Sequence, residues 1–281
     1  MEIFVTPSAL QHHLATLHQQ GKKIGFVPTM GALHEGHISL INSAKITTNI
    51  VVCSIFVNPT QFNDPKDLEK YPRPIEHDKA LLTAANCDIL FLPEVAVMYP
   101  NNDPHWAIDL GNLDKIWEGK HRPGHFQGVT QIVYKLFQLV NPDIAFFGQK
   151  DFQQIMVIQR MIKEKALKVK LNIVPTLRSV DGLALSSRNA RLSATGLHKA
   201  LTLSKALRHI QQHVQTKDIP TLLTEARAII YSEEGLELEY LTICETTTLE
   251  STTKIHTEKD YVVLIAAWLE GVRLIDNMLL Q

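Results

Sequence analysis

Lys23-Ile24-Gly25-Phe26-Val27-Pro28-Thr29-Met30-Gly31-Ala32-Leu33-His34-Glu35-Gly36-His37 reads as a buried strand that turns once and enters a helix. Residues 23–27 supply the apolar run, Pro28 and Gly31 break it, and Ile38, Leu40, Ile41 and Ala44 resume an apolar pattern at helical spacing. His34 and His37 therefore stand at a helix N-terminus, three residues apart and on one face. Unpaired N–H groups and the positive end of the helix dipole favour an anion there, and Gly36, with no Cβ, lets a phosphate approach the backbone. The pattern His34-Glu35-Gly36-His37 also looks like a zinc-protease helix, but that chemistry needs histidines four apart and the spacing is one short. The turn is expected to hold a nucleotide phosphate.

Outward from this turn, apolar runs at residues 50–57, 89–92, 144–147 and 169–174 alternate with amphipathic stretches. Phe126, Val129, Val133, Leu136, Phe137 and Val140 share one helical face, with Gln131, Lys135 and Gln138 on the other. Such alternation predicts a Rossmann-like α/β domain, a parallel sheet covered by helices on both faces, with ligands beyond the carboxyl ends of the strands. After Pro175 the character changes. A loop at 178–189 leads to helices expected at 194–214 and 219–231 and strands at 236–245 and 261–269. The expected division is a catalytic nucleotide-binding domain of residues 1–176 and a smaller α+β lid domain of residues 177–281. The threonine-rich patch 246–253 reads as an exposed turn.

The chain has 281 residues, 45% of them hydrophobic, and a formal net charge of −1, so no global positive field argues for a nucleic-acid partner. Small-molecule chemistry fits better. The apolar runs at 50–57 and 262–269 are too short to span a bilayer, and the N-terminus lacks the basic start and apolar core of a signal peptide. Cys53, Cys87 and Cys244 are odd in number, far apart and without a CxxC pair, as in a reducing compartment. All three read as buried small hydrophobes in a cytoplasmic protein.

Two further clusters carry charge at strand ends or in loops. In Gly148-Gln149-Lys150-Asp151, Lys150 can neutralise phosphate and Asp151 can accept from ribose hydroxyls, although alone they read as a solvated lysine and a helix cap. In Leu185-Ser186-Ser187-Arg188, two hydroxyls and a guanidinium suit a polyphosphate tail, although serine-rich turns are common. There is no GxxxxGK[ST] loop and no GxGxxG after a strand, which removes P-loop kinases and dinucleotide dehydrogenases. Together the three clusters point to adenylyl transfer, with attack on the α-phosphorus of ATP and departure of pyrophosphate.

From end to end the chain resembles the pantothenate synthetase family of HxGH nucleotidyltransferases. The resemblance rests on residues 28–37, on Ser54-Ile55-Phe56-Val57-Asn58-Pro59-Thr60-Gln61-Phe62, on Arg122-Pro123-Gly124-His125-Phe126, on Phe147-Gly148-Gln149-Lys150-Asp151-Phe152-Gln153-Gln154 and on residues 182–189. Ala266-Ala267-Trp268 and Arg273-Leu274-Ile275-Asp276-Asn277 extend it to the C-terminus. It implies an ATP-dependent ligase that activates pantoate as an acyl adenylate and then joins it to β-alanine, releasing AMP. It implies catalytic roles for His34, His37, Lys150 and Arg188, with His37 the proton donor. It implies ATP contacts from Met30, Gly31, Ala32, Leu33, His34, Glu35, Gly36 and His37, from Gly148, Gln149, Lys150 and Asp151, and from Leu177, Leu185, Ser186, Ser187 and Arg188. Gln61, Gln154 and Met30 would bind pantoate and Gln61 also β-alanine; Pro28, Val129 and Phe147 are further wall candidates, Val129 reading more simply as core. Mg2+ bridging the phosphates with Asp78 as its protein ligand, and a homodimer, are also implied. Gln149 departs from the glutamate that the family usually shows there. Two other readings stay open: a related HxGH adenylyltransferase acting on a phosphorylated substrate, and a catalytically silent nucleotide- or RNA-binding module.

Overall fold

The computed structural model describes residues 1–280. The expected apolar runs form strands β2 (Ile24–Thr29), β3 (Ile50–Ile55), β4 (Ile89–Phe91), β5 (Ile144–Gly148) and β6 (Lys170–Val174), and a short N-terminal strand, β1 (Glu2–Phe4), joins them. All pair in parallel, in the order β1-β4-β3-β2-β5-β6. Alternate residues of β2 and β3 feed two cores. Phe26 and Val52 pack with Leu10, Leu14, Val133 and Phe137. Val27, Val51 and Cys53 pack with Leu40, Ile41 and Ala44 of the helix Glu35–Thr47. Burial on both faces is why these strands read as nearly unbroken apolar runs, and each large side chain so buried contributes about 1.5–3 kcal/mol.

One boundary differs from expectation, because β2 continues through Pro28 to Thr29. The Thr29 carbonyl accepts from Phe56 N on the β3 side, so Pro28 faces the other way. There β2 has already parted from β5, whose register with it covers only Gly25 and Phe26. No ladder bond is lost with the proline N–H. The strand order reverses at the neighbouring pair β2 and β5, and the turns leaving these two strands carry the histidine and the Gly148 clusters.

Contacts divide the chain into one unit of Met1–Gly148 with Gln153–Pro175 and another of Gln149–Phe152 with Thr176–Gln281. A single break near residue 176 would leave the turn Gln149–Phe152 in the first unit. It groups with the second because the Asn277 amide holds its backbone. The second unit contains β7 (Leu236–Glu245), β8 (Tyr261–Leu269) and β9 (Val272–Leu280), an antiparallel sheet in that order. Helices Ala194–His213 and Ile219–Tyr231 cover one face, with Leu207, Ile210, Leu222 and Ile230 against Ile243, Val263 and Ile265. Their starts follow from local chemistry. Ser193 Oγ accepts from Gly196 N at 2.9 Å and Asp218 Oδ1 from Thr221 N at 2.8 Å, each satisfying an orphan helix N–H. Cys53, Cys87 and Cys244 are buried and unbridged. No helix among the described residues is long and apolar enough to cross a membrane.

Candidate active site

In the first unit the turn after β2 passes through two left-handed residues, Gly31 (φ 80°) and Ala32 (φ 50°). A Cβ on Gly31 would stand 3.0 Å from both Asp78 Oδ2 and Ile55 Cγ2, so the position combines an unfavourable φ with no spare room. Asp78, on the helix Ile75–Ala84 and only 1% exposed, pins this turn. Its Oδ2 accepts from Ala32 N at 2.9 Å and its Oδ1 from Leu33 N at 2.7 Å. Buried carboxylates persist where such hydrogen bonds replace water. Both oxygens thus accept from the loop backbone, and each keeps a second lone pair.

The two histidines form a capping box on one another. His34 Nδ1 accepts from Gly36 N at 3.1 Å, and His37 Nδ1 accepts from His34 N at 3.3 Å. Their ring centroids are 4.1 Å apart. In a neutral imidazole one nitrogen accepts and the other carries the proton. With Nδ1 of each ring accepting a backbone N–H, the proton of each neutral ring resides on Nε2. The helix N-terminus therefore fixes the tautomer of both side chains, and both Nε2 atoms are donors without any need for a second proton.

Gln61 closes the 3-10 turn Pro59–Gln61 and is buried. Its Nε2 lies 2.9 Å from Met30 Sδ, so two of the expected pantoate residues touch. Its Oε1 accepts from Asn58 Nδ2 at 3.1 Å, and the same Nδ2 reaches the Gly128 carbonyl at 3.1 Å. Asn58 is itself held by Tyr99, whose hydroxyl donates to Oδ1 at 2.7 Å. Burial pushes the Tyr99 phenol up to about 12. Val129 and Phe147 belong to the hydrophobic core. Gln154 is half-buried on the helix Phe152–Glu164, whereas Gln153 is buried and tied to the 113–118 segment through Glu118 N, Leu113 O and Ile116 O.

The second unit carries the other charged residues. Lys150 and Asp151 lie on the 3-10 turn Gln149–Asp151, and Asn277 of β9 holds that turn. Asn277 Nδ2 donates to the carbonyls of Gln149 at 3.0 Å and Lys150 at 2.8 Å. Its Oδ1 accepts from Gln149 Nε2 at 3.2 Å, a donor that a glutamate at 149 would not supply. Next to it, Asp276 takes both ends of the Arg178 guanidinium, at 2.6 and 2.9 Å. Arg178 also donates to the Gly182 carbonyl at 3.2 Å and the Asn277 carbonyl at 3.1 Å. The expected loop is thus a closed turn, bridged between Arg178 and Ala184 and between Leu185 N and Leu177 O. It ends in the 3-10 helix Ser187–Arg191, where Ser186 Oγ accepts from Arg188 N at 3.3 Å. Leu177 is exposed.

Within the first unit the structure brings together the loop 30–37, Gln61 and Asp78; within the second, the Lys150 turn and the Arg178–Arg188 segment are joined through Asp276 and Asn277. Asn58, Arg178, Asp276 and Asn277 are the residues that reading the sequence for chemistry missed. Asn58, Asp276 and Asn277 lie inside quoted motifs, yet neutral amides and a lone acid carry no spacing signal.

A parallel sheet whose order reverses beside a histidine-capped helix N-terminus defines a nucleotide-binding α/β protein of the HxGH kind. The family model described as pantoate-beta-alanine ligase matches residues 2–279. The chain belongs to the pantoate-β-alanine ligase family. It is 46% identical over 273 residues to the pantothenate synthetase of Cytophaga hutchinsonii, covering 96% of each chain. It is 42% identical to that of Vibrio parahaemolyticus, covering 99% of this chain and 92% of the other. Among solved structures, pantothenate synthetase from Thermus thermophilus matches with a TM-score of 0.93 at 38% identity over 99% of both chains. The Francisella tularensis pantoate-beta-alanine ligase, complexed with beta-gamma ATP and beta-alanine, matches with a TM-score of 0.83 at 35% identity, covering 99% of this chain and 97% of the other.

Proposed function

We propose that this chain condenses pantoate with β-alanine through a pantoyl adenylate, converting ATP to AMP and pyrophosphate. The observation that carries this reading is the family match over residues 2–279, with His34, His37, Gln61, Lys150 and Arg188 all at motif positions. In the first half-reaction a pantoate carboxylate oxygen attacks the α-phosphorus and the bond to pyrophosphate breaks. The carboxylate is already ionised near neutral pH, so this step needs alignment and stabilisation of developing negative charge, not a base. The capping box supplies two Nε2–H donors, with His37 the proton donor, while Lys150 adds a point charge and Arg188 a bidentate fork. The stretches 30–37, 148–151 and 185–188, with Leu177, contact ATP, and Asp151 accepts from the ribose. Gln61 and Gln154, with Met30, hold pantoate, and Gln61 also β-alanine. In the second half-reaction the free amine attacks the acyl carbon, the bond to the AMP oxygen breaks, and the amine loses a proton.

Mg2+ would accompany the triphosphate and shield its charge. No group of three His, Cys, Asp or Glu side chains among the described residues could hold a metal ion by itself, so the protein contact would be a single carboxylate, for which Asp78 is the candidate, each of its oxygens keeping a lone pair beside its loop amide. We also read the chain as a cytoplasmic homodimer, for which light scattering would give about twice the 31.7 kDa chain mass.

The test is pantoate-dependent exchange of labelled pyrophosphate into ATP in the absence of β-alanine. Exchange, followed by stoichiometric AMP release when β-alanine is added, is the expected result. Folded protein that binds ATP but catalyses no exchange would overturn the reading.

A further inference from the structure

The motif Arg122-Pro123-Gly124-His125-Phe126 has no role in the reaction just described, yet its side chains end on the turn that carries Gln61. His125 is 5% exposed. Its Nδ1 lies 2.8 Å from the Gln61 carbonyl oxygen and its Nε2 lies 3.0 Å from Arg122 Nη1. Each partner permits one role only, because a carbonyl accepts and a guanidinium donates. Nδ1 must therefore carry the proton and Nε2 must accept, which is the Nδ1–H tautomer of a neutral ring. A second proton would set donor against donor at Arg122. The guanidinium is backed by Glu118 at 3.7 Å, and its Nη2 lies 3.4 Å from the same Gln61 carbonyl. With both nitrogens engaged inside the fold, His125 is unsuited to proton transfer with a substrate.

The rest of this helix start completes a seat for the turn. A Cβ on Gly128 would stand 2.3 Å from the Thr60 carbonyl oxygen and 2.9 Å from Gln61 N, so only glycine lets the helix His125–Val140 come this close. Asn58 spans the Gly128 carbonyl and the Gln61 carboxamide oxygen. The Gln61 backbone is fixed by His125 and its side chain by Asn58, both referred to the same first helical turn.

We propose that His125, oriented by Arg122 and Glu118, is a positioning residue that sets the hydroxy-acid affinity of the enzyme by fixing Gln61. This rests on the reading of Gln61 as a pantoate residue. The tautomer lock explains why a histidine is used: it aims an Nδ1–H at 2.8 Å at the carbonyl that Arg122 Nη2 reaches only at 3.4 Å. A drift of about 1 Å in the Gln61 carboxamide would loosen the acid while leaving the nucleotide turn at 30–37 untouched.

The experiment compares parent protein with Gln61→Ala, His125→Leu and His125→Asn in the exchange assay, with KM measured separately for pantoate and ATP. Leucine keeps bulk and removes the donor, whereas asparagine restores an N–H near the Nδ1 position. His125→Leu is expected to raise the pantoate KM about three- to tenfold, the effect of one lost hydrogen bond. The ATP KM should stay near its parent value, and His125→Asn should recover most of the loss. An unchanged pantoate KM in His125→Leu, or equal increases for both substrates without rescue by asparagine, would overturn the proposal. An unchanged pantoate KM in Gln61→Ala would instead overturn the assignment of Gln61 beneath it. Ring-15N NMR of the unsubstituted protein tests the same lock without a folding risk: Nδ1–H with bare Nε2 at neutral pH supports it, and any other tautomer refutes it.

Discussion

At the scale of single residues, the histidine capping box gives each ring two separable jobs. His34 Nδ1 caps the helix by accepting from Gly36 N, which leaves the proton of the neutral ring on Nε2. His34→Asn keeps an acceptor near the Nδ1 position and removes the Nε2 donor, so stability should fall by less than about 0.5 kcal/mol while exchange falls about 10²–10³-fold. His34→Ala should lose the activity and also about 1 kcal/mol of stability. Denaturant melts beside exchange rates separate the two effects, and an active His34→Asn would remove the histidine from the mechanism. Asp78 has a different balance. Asp78→Asn would turn an NH2 group toward Ala32 N or Leu33 N, donor against donor in a site 1% exposed, and should cost about 1–3 kcal/mol. A variant as stable as the parent would contradict its role as a loop clamp. The motif that flags the histidines is local, so it is legible in the sequence. Asp78 lies 45 or 46 residues from the amides it binds, and nothing near it distinguishes a clamp from a metal ligand.

At the scale of elements, the Lys150 turn depends on strand β9, because two of its carbonyls accept from one Asn277 amide. Asn277→Asp replaces that donor with a carboxylate oxygen facing two carbonyls. Exchange is expected to drop at least tenfold, the equivalent of about 1.4 kcal/mol, with the helix content by circular dichroism unchanged. Parent-like exchange would mean that the turn holds itself. Gln149→Glu is the milder companion, since it sets a carboxylate oxygen against Asn277 Oδ1 only at a contact already 3.2 Å long, while the two carbonyl contacts of Asn277 stay, and should leave activity within about threefold of the parent. These elements were unequally legible. β7 shows by the alternation of Leu236, Leu238 and Tyr240 with Glu237 and Glu239, and β8 as a long apolar run, but β9 carries Arg273, Asp276 and Asn277, of which the last two are buried against partners elsewhere in the chain. Asp276 is 98 residues from Arg178, and Asn277 is 127 residues from the Lys150 carbonyl, beyond any periodicity. β1 is too short, at three residues with two exposed, to show alternation. The helix His125–Val140 was plain from its apolar face, whereas its Gly128 contact with the Thr60 carbonyl is a matter of tertiary approach that no spacing encodes.

At the scale of the whole molecule, burial of cysteines that form no disulfide bears on stability and pH. Cys53 and Cys87 both lie on the β3–β4 side of the parallel sheet, and burial is the largest cause of their raised values. Cys53 is pushed well above 9.0 and Cys87 up to about 12. Below pH 9 both thiols are protonated whether the chain is folded or not, and their contribution to stability is complete. Above pH 9 the unfolded chain ionises them and gains free energy that the fold cannot match, so stability is lost as pH rises toward about 12. The loss is about 1.4 kcal/mol per thiol for each pH unit in that window, an upper figure because the unfolded chain is not fully solvated. Urea melts at pH 7, 8, 9 and 10 should therefore show a level free energy up to about pH 9 and a decline beyond it. The Cys53→Ala, Cys87→Ala double variant should start lower at pH 7, because buried sulfur and its packing are lost, but follow a shallower alkaline slope. Parallel slopes for parent and double variant would mean that other groups, among them Tyr99 with its phenol also raised to about 12, govern alkaline unfolding. The same burial predicts that iodoacetamide labels neither thiol in the native state at pH 8 except through opening of the sheet. The labelling rate then reports the stability of that first unit directly, and an agreement between it and the urea free energy would identify the sheet as the part that opens last.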